Sequence, residues 1–199
     1  MLEKRQTGRT ASYHHGDLRD ALVRAGQTIL EKDGLAALSL RRVARTAGVS
    51  PAAPYHHFPD KQALLDAVAA QGFDALTAAM TTRMAEETDP NARLDASGVG
   101  YVAFAVENPA LFRIMFGARE QELSKNAALL EAGERAYAVL QAAVASTSPD
   151  GAAPPLVCLR LWALVHGIAK LIIEGGVRPA DYGFTSSEAL TMHLLRVAQ

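Results

Sequence analysis

The sequence from Ser39 to Lys61, SLRRVARTAGVSPAAPYHHFPDK, contains the features of two short helices joined by a tight turn. Ser39 suits the start of the first helix because its hydroxyl can accept a free backbone N–H. Gly48 can adopt the left-handed conformation that ends a helix. Ser50 and Pro51 suit the start of a second helix, predicted over about residues 51–58. This order is typical of a helix-turn-helix, which places its second helix in the major groove of DNA.

Pro54 interrupts the predicted second helix. Proline has no backbone N–H, but the loss is tolerable in the first turn of a helix. We therefore expect an intact second helix with a slightly altered start. Tyr55, His56 and His57 would then lie at its exposed end.

The side chains around this helix suit contacts with DNA. Tyrosine and histidine can donate to phosphate oxygens, and the small Ala52 and Ala53 allow close approach and contact with thymine methyl groups. Arg41 can reach a base edge or a phosphate. Lys61 lies at a helix start, where free N–H groups and positive charge favour phosphate. Arg42 and Arg45 are expected to lie in solvent.

Charge is distributed unevenly along the 199 residues. Residues 1–61 carry ten basic and six acidic side chains, a net charge of +4, whereas residues 62–199 carry ten basic and fifteen acidic side chains, a net charge of −5. A positive first third on an acidic remainder suits a DNA-reading head on a soluble body. We therefore predict two domains, residues 1–61 and residues 62–199.

Composition narrows the class of protein further. Hydrophobic residues make up 49% of the chain, but we find no uninterrupted apolar run of 18 residues and predict no membrane span. Cys158 is the only cysteine, so an internal disulfide is impossible. The polar, basic N-terminus does not resemble a secretion signal. These features favour the cytoplasm.

Apolar residues recur at helical spacing through most of the chain, which predicts an all-α fold. A long helix from about residue 60 to 86 would join the reading head to the second domain. The segment 155–174 is apolar nearly all round, so it should be buried on several sides, with a second copy of the chain as the expected cover. The predicted dimer interface comprises Leu161, Val165, Ile168, Ile172, Leu190, Leu194 and Val197.

The first residues of the chain allow two interpretations. Residues 1–12 form either a solvated tail or a basic arm that contacts phosphates or the minor groove. His14 and His15 make a poor metal site because neighbouring residues on a helix point about 100° apart. No metal or other cofactor is predicted.

The head resembles the DNA-binding domain of the TetR family of bacterial transcriptional regulators. The resemblance rests on Val43-Ala44, Ala47-Gly48-Val49-Ser50, Tyr55-His56-His57-Phe58, Lys61 and Leu64-Leu65. It implies a three-helix DNA-binding domain and a helical ligand-binding and dimerisation domain, with about nine helices in all. It also implies DNA contacts from Arg41, Ser50, Ala52, Ala53, Tyr55, His56, His57 and Lys61.

The body contains a Trp-x-x-x-His-Gly segment, residues 162–167, which is similar to one type of TetR family C-terminal domain. The PALFRIMF segment, residues 109–116, fits the same type. The resemblance implies a ligand-responsive dimeric repressor. His166 could be a satisfied core histidine, a polar contact in a pocket or interface, or a metal ligand. The predicted pocket residues are Met80, Met84, Tyr101, Phe104, Phe112, Met115, Phe116, Trp162 and His166.

Other functions fit the sequence less well. The glycines of residues 98–103 match a dinucleotide fingerprint only formally, because no strand is predicted before them. Close helix packing or local flexibility explains them better. An enzyme would need a nucleophile with a base or a metal cluster, and Cys158 stands alone. A transcriptional activator of the same family, and a helical binding protein without DNA recognition, remain as alternatives to a repressor with a small-molecule effector.

Overall fold

The computed structural model describes residues 15–117 and 126–197, so the predicted arm and His14 lie outside the described residues. Within that part of the chain the fold is all-α, with eight α-helices, three short 3₁₀ segments and no strand. The α-helices are α1 His15–Asp33, α2 Leu40–Thr46, α3 Lys61–Ala85, α4 Pro90–Glu107, α5 Pro109–Gly117, α6 Ala127–Thr147, α7 Pro155–Ile173 and α8 Ser187–Val197. The 3₁₀ segments are Leu35–Ala37, Ala53–His56 and Pro179–Tyr182.

Helices α1 and α2 pack together with the start of α3 to form the head. The hydroxyl of Ser39 accepts the N–H of Arg42 at 3.2 Å, which confirms the predicted cap of α2. Gly48 has φ +70°, as the predicted turn requires. Val43 is fully buried and Phe58 nearly so, and both belong to the hydrophobic core.

Helix α3 joins the head to the body. The carboxylate of Asp60 caps it by accepting the N–H of Ala63 at 2.8 Å. Its 25 residues extend about 37 Å at the α-helical rise. Its start packs against α1, and its later turns pack against α4 and α6. The hydrophobic core continues through α3 without a break at residue 61.

The glycines of α4 allow close helix packing. A Cβ built on Gly100 would lie 2.9 Å from the carbonyl oxygen of Ala79 on α3, closer than a Cβ can approach. A Cβ on Gly98 would lie 2.9 Å from Leu195 on α8. The prediction that these glycines serve helix packing is confirmed, and they lie in the middle of an α-helix rather than after a strand.

Helix α7 is only partly covered by its own chain. By length and composition it could cross a membrane, with a mean hydropathy of 1.9, although core helices of soluble proteins pass the same test. Arg160 and Lys170 interrupt its apolar run, so the segment contains no 18 consecutive apolar residues. About 22% of the segment is buried inside the chain.

Candidate nucleic-acid interface and internal cavity

The second element of the helix-turn-helix is a 3₁₀ turn, Ala53–His56, which we call the recognition turn. The prediction of a regular helix over residues 51–58 was wrong. Backbone N–H groups of Ala53 and Tyr55 donate to carbonyls three residues earlier, at 3.0 and 3.2 Å. Pro54 has no N–H for the carbonyl of Ser50, and its ring would clash with that carbonyl in an α-helix. The tighter geometry follows from this proline.

The inner side of the recognition turn is anchored in the core of the head. Pro54 is buried, and its carbonyl accepts the N–H of Phe58 at 2.8 Å. The guanidinium of Arg19 lies 5.4 Å from the centre of the buried Phe58 ring. Because this side is fixed, Tyr55 and His56 project outward, and about 53% of Tyr55 is exposed.

The residues predicted to contact DNA divide into two groups by exposure. Arg41, Ser50, Ala52, Tyr55 and His56 are exposed, whereas Ala53, His57 and Lys61 are half-buried. The ammonium of Lys61 donates to the carbonyl oxygen of Leu35 at 3.0 Å. Lys61 therefore also ties the start of α3 to the segment that precedes α2.

The arginines of α2 have different surroundings. Arg42 forms an ion pair with Asp33 at 2.5 Å, which holds α2 against the end of α1. Arg41 and Arg45 are both exposed and lie one helical turn apart. Sequence reasoning assigned Arg45 to solvent, although its spacing from Arg41 places both on one face of α2. Arg45 is therefore a further candidate for phosphate contact.

A cavity of about 840 Å³ lies in the body among α3, α4, α5, α6 and α7, with Leu195 of α8 also at its wall. Apolar and aromatic side chains form much of its wall, with polar groups on α4, α6 and α7. This composition is typical of small-molecule sites. The lining side chains include Phe73, Leu76, Met80, Asp95, Tyr101, Phe116, Glu134, Tyr137, Gln141, Arg160, Leu161, Trp162 and Val165.

The cavity includes part of the predicted pocket. Met80, Tyr101, Phe116 and Trp162 line it, whereas Met84, Phe104, Phe112, Met115 and His166 do not. Met115, for example, packs on α3, where its sulfur would lie 2.7 Å from a Cβ on Gly72.

Phe73, Leu76 and Tyr137 are among the lining residues that were not predicted for the pocket. Phe73 and Leu76 lie seven and four residues before Met80, so helical spacing could have indicated them. Tyr137 could have been considered as an aromatic residue on the inner face of α6, but nothing in its local sequence distinguished it from an ordinary core residue.

The predicted dimer residues also need correction. Leu161 and Val165 line the cavity, and Ile168 and Leu190 are buried within the chain. Ile172 and Leu194 are half-buried, and Val197 is 72% exposed. The predicted face of α7 therefore points inward. The large apolar side chains exposed on α7 are Leu156, Leu159 and Leu171.

Behind the cavity wall, the hydroxyl of Tyr101 lies 2.9 Å from Nδ1 of His166. Burial raises the pKa of Tyr101 well above its ordinary value, with a hydrogen bond from Trp162 opposing the shift. Burial lowers the pKa of His166, and the charge of Lys170 adds to that effect. Both rings are therefore uncharged at neutral pH, and Tyr101 can donate to the imidazole.

The metal interpretation of the histidines finds no geometric support in residues 15–117 and 126–197, where no three His, Cys, Asp or Glu side chains converge. His166 instead contacts the rings of Phe112 and Phe116, with centroids 5.3 and 4.7 Å away. Cys158 is buried, and burial raises the pKa of its thiol. A smaller fraction of the side chain is therefore in the reactive thiolate form.

Two family models match the chain. Residues 22–68 match the N-terminal model described as bacterial regulatory proteins, tetR family. Residues 94–197, just over half of the chain, match the tetracyclin repressor-like C-terminal domain. The first match contains the helix-turn-helix and the recognition turn, and the second contains most of the cavity wall.

Solved structures show the same architecture over nearly the whole chain. A protein of unknown function from Rhodococcus sp. RHA1 is 34% identical, with a TM-score of 0.75 over 94% of this chain and 95% of that one. FadR from Bacillus subtilis, solved with stearoyl-CoA, is 13% identical, with a TM-score of 0.70 over 89% of this chain and 96% of that one. This second likeness concerns the fold alone.

Among curated proteins, the nucleoid occlusion factor SlmA of Edwardsiella ictaluri is 33% identical over 118 residues. The match covers 59% of this chain, which spans only about half the length (56%) of that relative. The two family models establish the wider relationship. The chain belongs to the TetR family of bacterial regulatory proteins.

Proposed function

We propose that the protein is a repressor that binds a near-palindromic operator as a homodimer and is released by a small, largely apolar molecule. One observation carries the proposal: α3 contributes Phe73, Leu76 and Met80 to the cavity wall and begins at Lys61, beside the recognition turn. A ligand that displaces the middle of α3 would therefore move the head.

On the operator, the recognition turn would enter the major groove. Tyr55 and His56 are placed to donate to phosphates, and Ala52 brings the backbone close to the bases. Arg41 and Lys61 would contact phosphates at the two ends of the helix-turn-helix. The slim recognition turn carries few groups that read base edges, so we expect phosphate contacts to supply most of the affinity.

The proposed dimer uses the outer face of α7. Leu156 is 79% exposed there, and Leu159 and Leu171 are about half exposed. Water-exposed apolar side chains at helical spacing favour a covering partner. A two-fold axis along this face would pair two heads on half-sites separated by about one helical turn of DNA, roughly 34 Å, or somewhat more.

Release would follow from a shift between two arrangements of the heads. The ligand must bind the released arrangement more tightly than the DNA-bound one, since a molecule with equal affinity for both shifts nothing. The cavity would hold the ligand, and α3 would transmit the difference. We place this activity in the cytoplasm, where the operator lies.

Two neighbouring functions make different predictions. An activator would use the same contacts but would raise expression of a linked reporter instead of lowering it. The similarity to the SlmA proteins supports a second candidate, a role at the nucleoid. A chromosome-wide map of bound sites separates these: a few promoter sites favour the regulator, and many sites spread over the chromosome favour the nucleoid role.

A reporter placed behind selected bound sites tests the proposal. The repressor predicts that expression falls when the protein is produced and recovers in extracts or growth conditions that supply the effector. A protein that binds small molecules in its cavity but never shifts a duplex at low salt would instead be a binding protein without DNA recognition, and the proposal would fail.

A further inference from the structure

We propose that the effector is a flat, polycyclic aromatic molecule that carries no negative charge. This inference deepens the proposed function by naming the chemical class of the ligand, and it rests on the cavity being the effector site. It is carried by two features of the cavity wall: the convergence of aromatic rings from five helices and the balance of the charges that line it.

The aromatic end of the cavity is built from one ring on each of five helices. These rings are Phe73 on α3, Tyr101 on α4, Phe116 on α5, Tyr137 on α6 and Trp162 on α7. A purely aliphatic wall would enclose an acyl chain equally well, so the concentration of aromatic rings points to a ligand with its own π-face.

The five rings form one connected cluster. Phe116 lies 5.3 Å from Phe73 and 6.4 Å from Tyr101, between ring centroids. Tyr137 and Trp162 are 5.9 Å apart at 67°. His166 connects the two groups from behind, 4.7 Å from Phe116 and 6.2 Å from Trp162. Offset and edge-to-face contacts at these distances are also the contacts that a flat aromatic ligand would make.

The polar atom of Tyr101 is already committed. Its hydroxyl is bonded to His166 outside the cavity lining, so the residue offers the ligand mainly ring surface. The volume of about 840 Å³ lies within the usual range for small-molecule sites and leaves room for several fused rings with substituents.

The ionisable side chains of the described lining offer an anion no surplus of positive charge. Among the described residues they are Asp95, Glu134 and Arg160, and the carboxylate of Asp95 lies 3.9 Å from the guanidinium of Arg196. Arg160 already has a partner within the chain. A ligand carboxylate would thus lose its hydration without a surplus cation in the described lining to replace it, whereas a neutral ring would lose far less.

The direct test is calorimetric titration of the whole protein with four probes. DNA is left out because one probe, proflavine, is an acridine and itself binds duplexes. The four probes are proflavine, an aromatic cation; anthracenemethanol, a neutral aromatic; anthracenecarboxylate, an aromatic anion; and dodecyltrimethylammonium, an aliphatic cation. We expect the first two to bind at least about tenfold more tightly than the last two. Equal or tighter binding of either the anion or the aliphatic cation would overturn the proposal.

A second measurement locates the probe. Trp162 is the only tryptophan in the chain, so quenching of its fluorescence by anthracenemethanol reports occupancy beside it. Tyr137→Leu gives an apolar side chain without a ring. It should weaken the binding of anthracenemethanol roughly three- to tenfold. Tyr182→Leu is the matched control, because Tyr182 is exposed and outside the cavity.

Phe116→Leu repeats the test on a second helix in case Tyr137→Leu does not fold. Wild-type affinity for anthracenemethanol in both folded variants would contradict the assignment of the rings. Operator binding is measured on the same protein without any probe. Loss of duplex binding would contradict the proposed function and leave the ligand class standing, whereas failure of the aromatic probes alone would contradict only the ligand class.

Discussion

The hydroxyl of Tyr101 on α4 and Nδ1 of His166 on α7 are 2.9 Å apart, in a hydrogen bond that joins the two helices. The Trp-x-x-x-His-Gly segment thereby acquires a structural meaning. Trp162 and His166 lie about one turn apart on α7, with Trp162 on the cavity wall and His166 behind Tyr101. The segment fixes the orientation of a ring that faces the cavity.

A double-mutant cycle measures this bond. His166→Leu leaves the buried hydroxyl of Tyr101 without its acceptor and should lower the free energy of unfolding by about 1–3 kcal/mol. Tyr101→Phe removes the donor itself and should cost less. In urea unfolding, the double variant should be little worse than His166→Leu alone. Strictly additive losses would show that the two side chains are not coupled.

Acid should weaken the fold through His166. Its pKa is lowered in the folded protein from the ordinary value of 6.5, so the unfolded chain takes up a proton first as pH falls. The contribution of neutral His166 to the free energy of unfolding is complete above pH 6.5. It is lost as the pH falls through the lower pKa of the folded state. Urea midpoints at falling pH should therefore decline less in His166→Gln than in the wild type. An identical decline would refute this origin, and His193→Gln on the exposed side of α8 is the control.

The close contact of α3 and α4 makes a second stability prediction. Gly100→Ala forces a Cβ against the backbone of Ala79 and should lower the free energy of unfolding by about 1–3 kcal/mol, despite the better helix propensity of alanine. Gly133→Ala makes the same change within α6, where the nearest atom is 4.0 Å away, and should be neutral or stabilising by up to about 1 kcal/mol. Similar effects of both changes on the thermal midpoint would count against the packing argument.

The exposed ring of the recognition turn gives a direct test of the head. Tyr55→Ala should weaken operator binding by about 1–3 kcal/mol in fluorescence anisotropy and leave the oligomeric state unchanged. Tyr182→Ala removes an equally exposed tyrosine from the body and should change nothing. Equal affinities for wild type and Tyr55→Ala would remove this residue from the DNA contacts.

Lys61→Ala should have a double effect. Loss of a phosphate contact would weaken binding by about 1–3 kcal/mol and reduce the slope of log affinity against log salt by about one. Loss of the bond to Leu35 should also lower stability modestly, by roughly 0.5–1.5 kcal/mol. Arg135→Ala removes one charge from the body as a control. A lower stability with an unchanged salt slope would assign Lys61 a purely structural role.

The features of the head that depend on neighbouring residues could be predicted from the sequence. The cap at Ser39, the turn at Gly48 and the long α3 all follow from short patterns, and the structure confirms them. The recognition turn was predicted less well. Pro51 and Pro54 both suit a helix start. Because Pro54 has no backbone N–H to donate, however, this short element forms 3₁₀ hydrogen bonds, between residues three apart.

The sequence predicts that the body is helical, but it does not predict which side of each helix points into the chain. Helix α7 is apolar nearly all round, so no periodicity separates the side that contacts its own chain from the side that does not. Val165 and Ile168 were therefore assigned to the dimer although they are buried within the chain, and Leu156 and Leu159 were not. The cavity depends on how five helices meet, which no local pattern encodes.

Selection of bound duplexes from a random DNA pool asks whether two copies of this chain together read a DNA sequence. We expect enrichment of a near-palindromic site, bound by two chains, with an affinity that falls steeply as salt rises. A stable monomer that enriches no sequence and binds no duplex at low salt would contradict it.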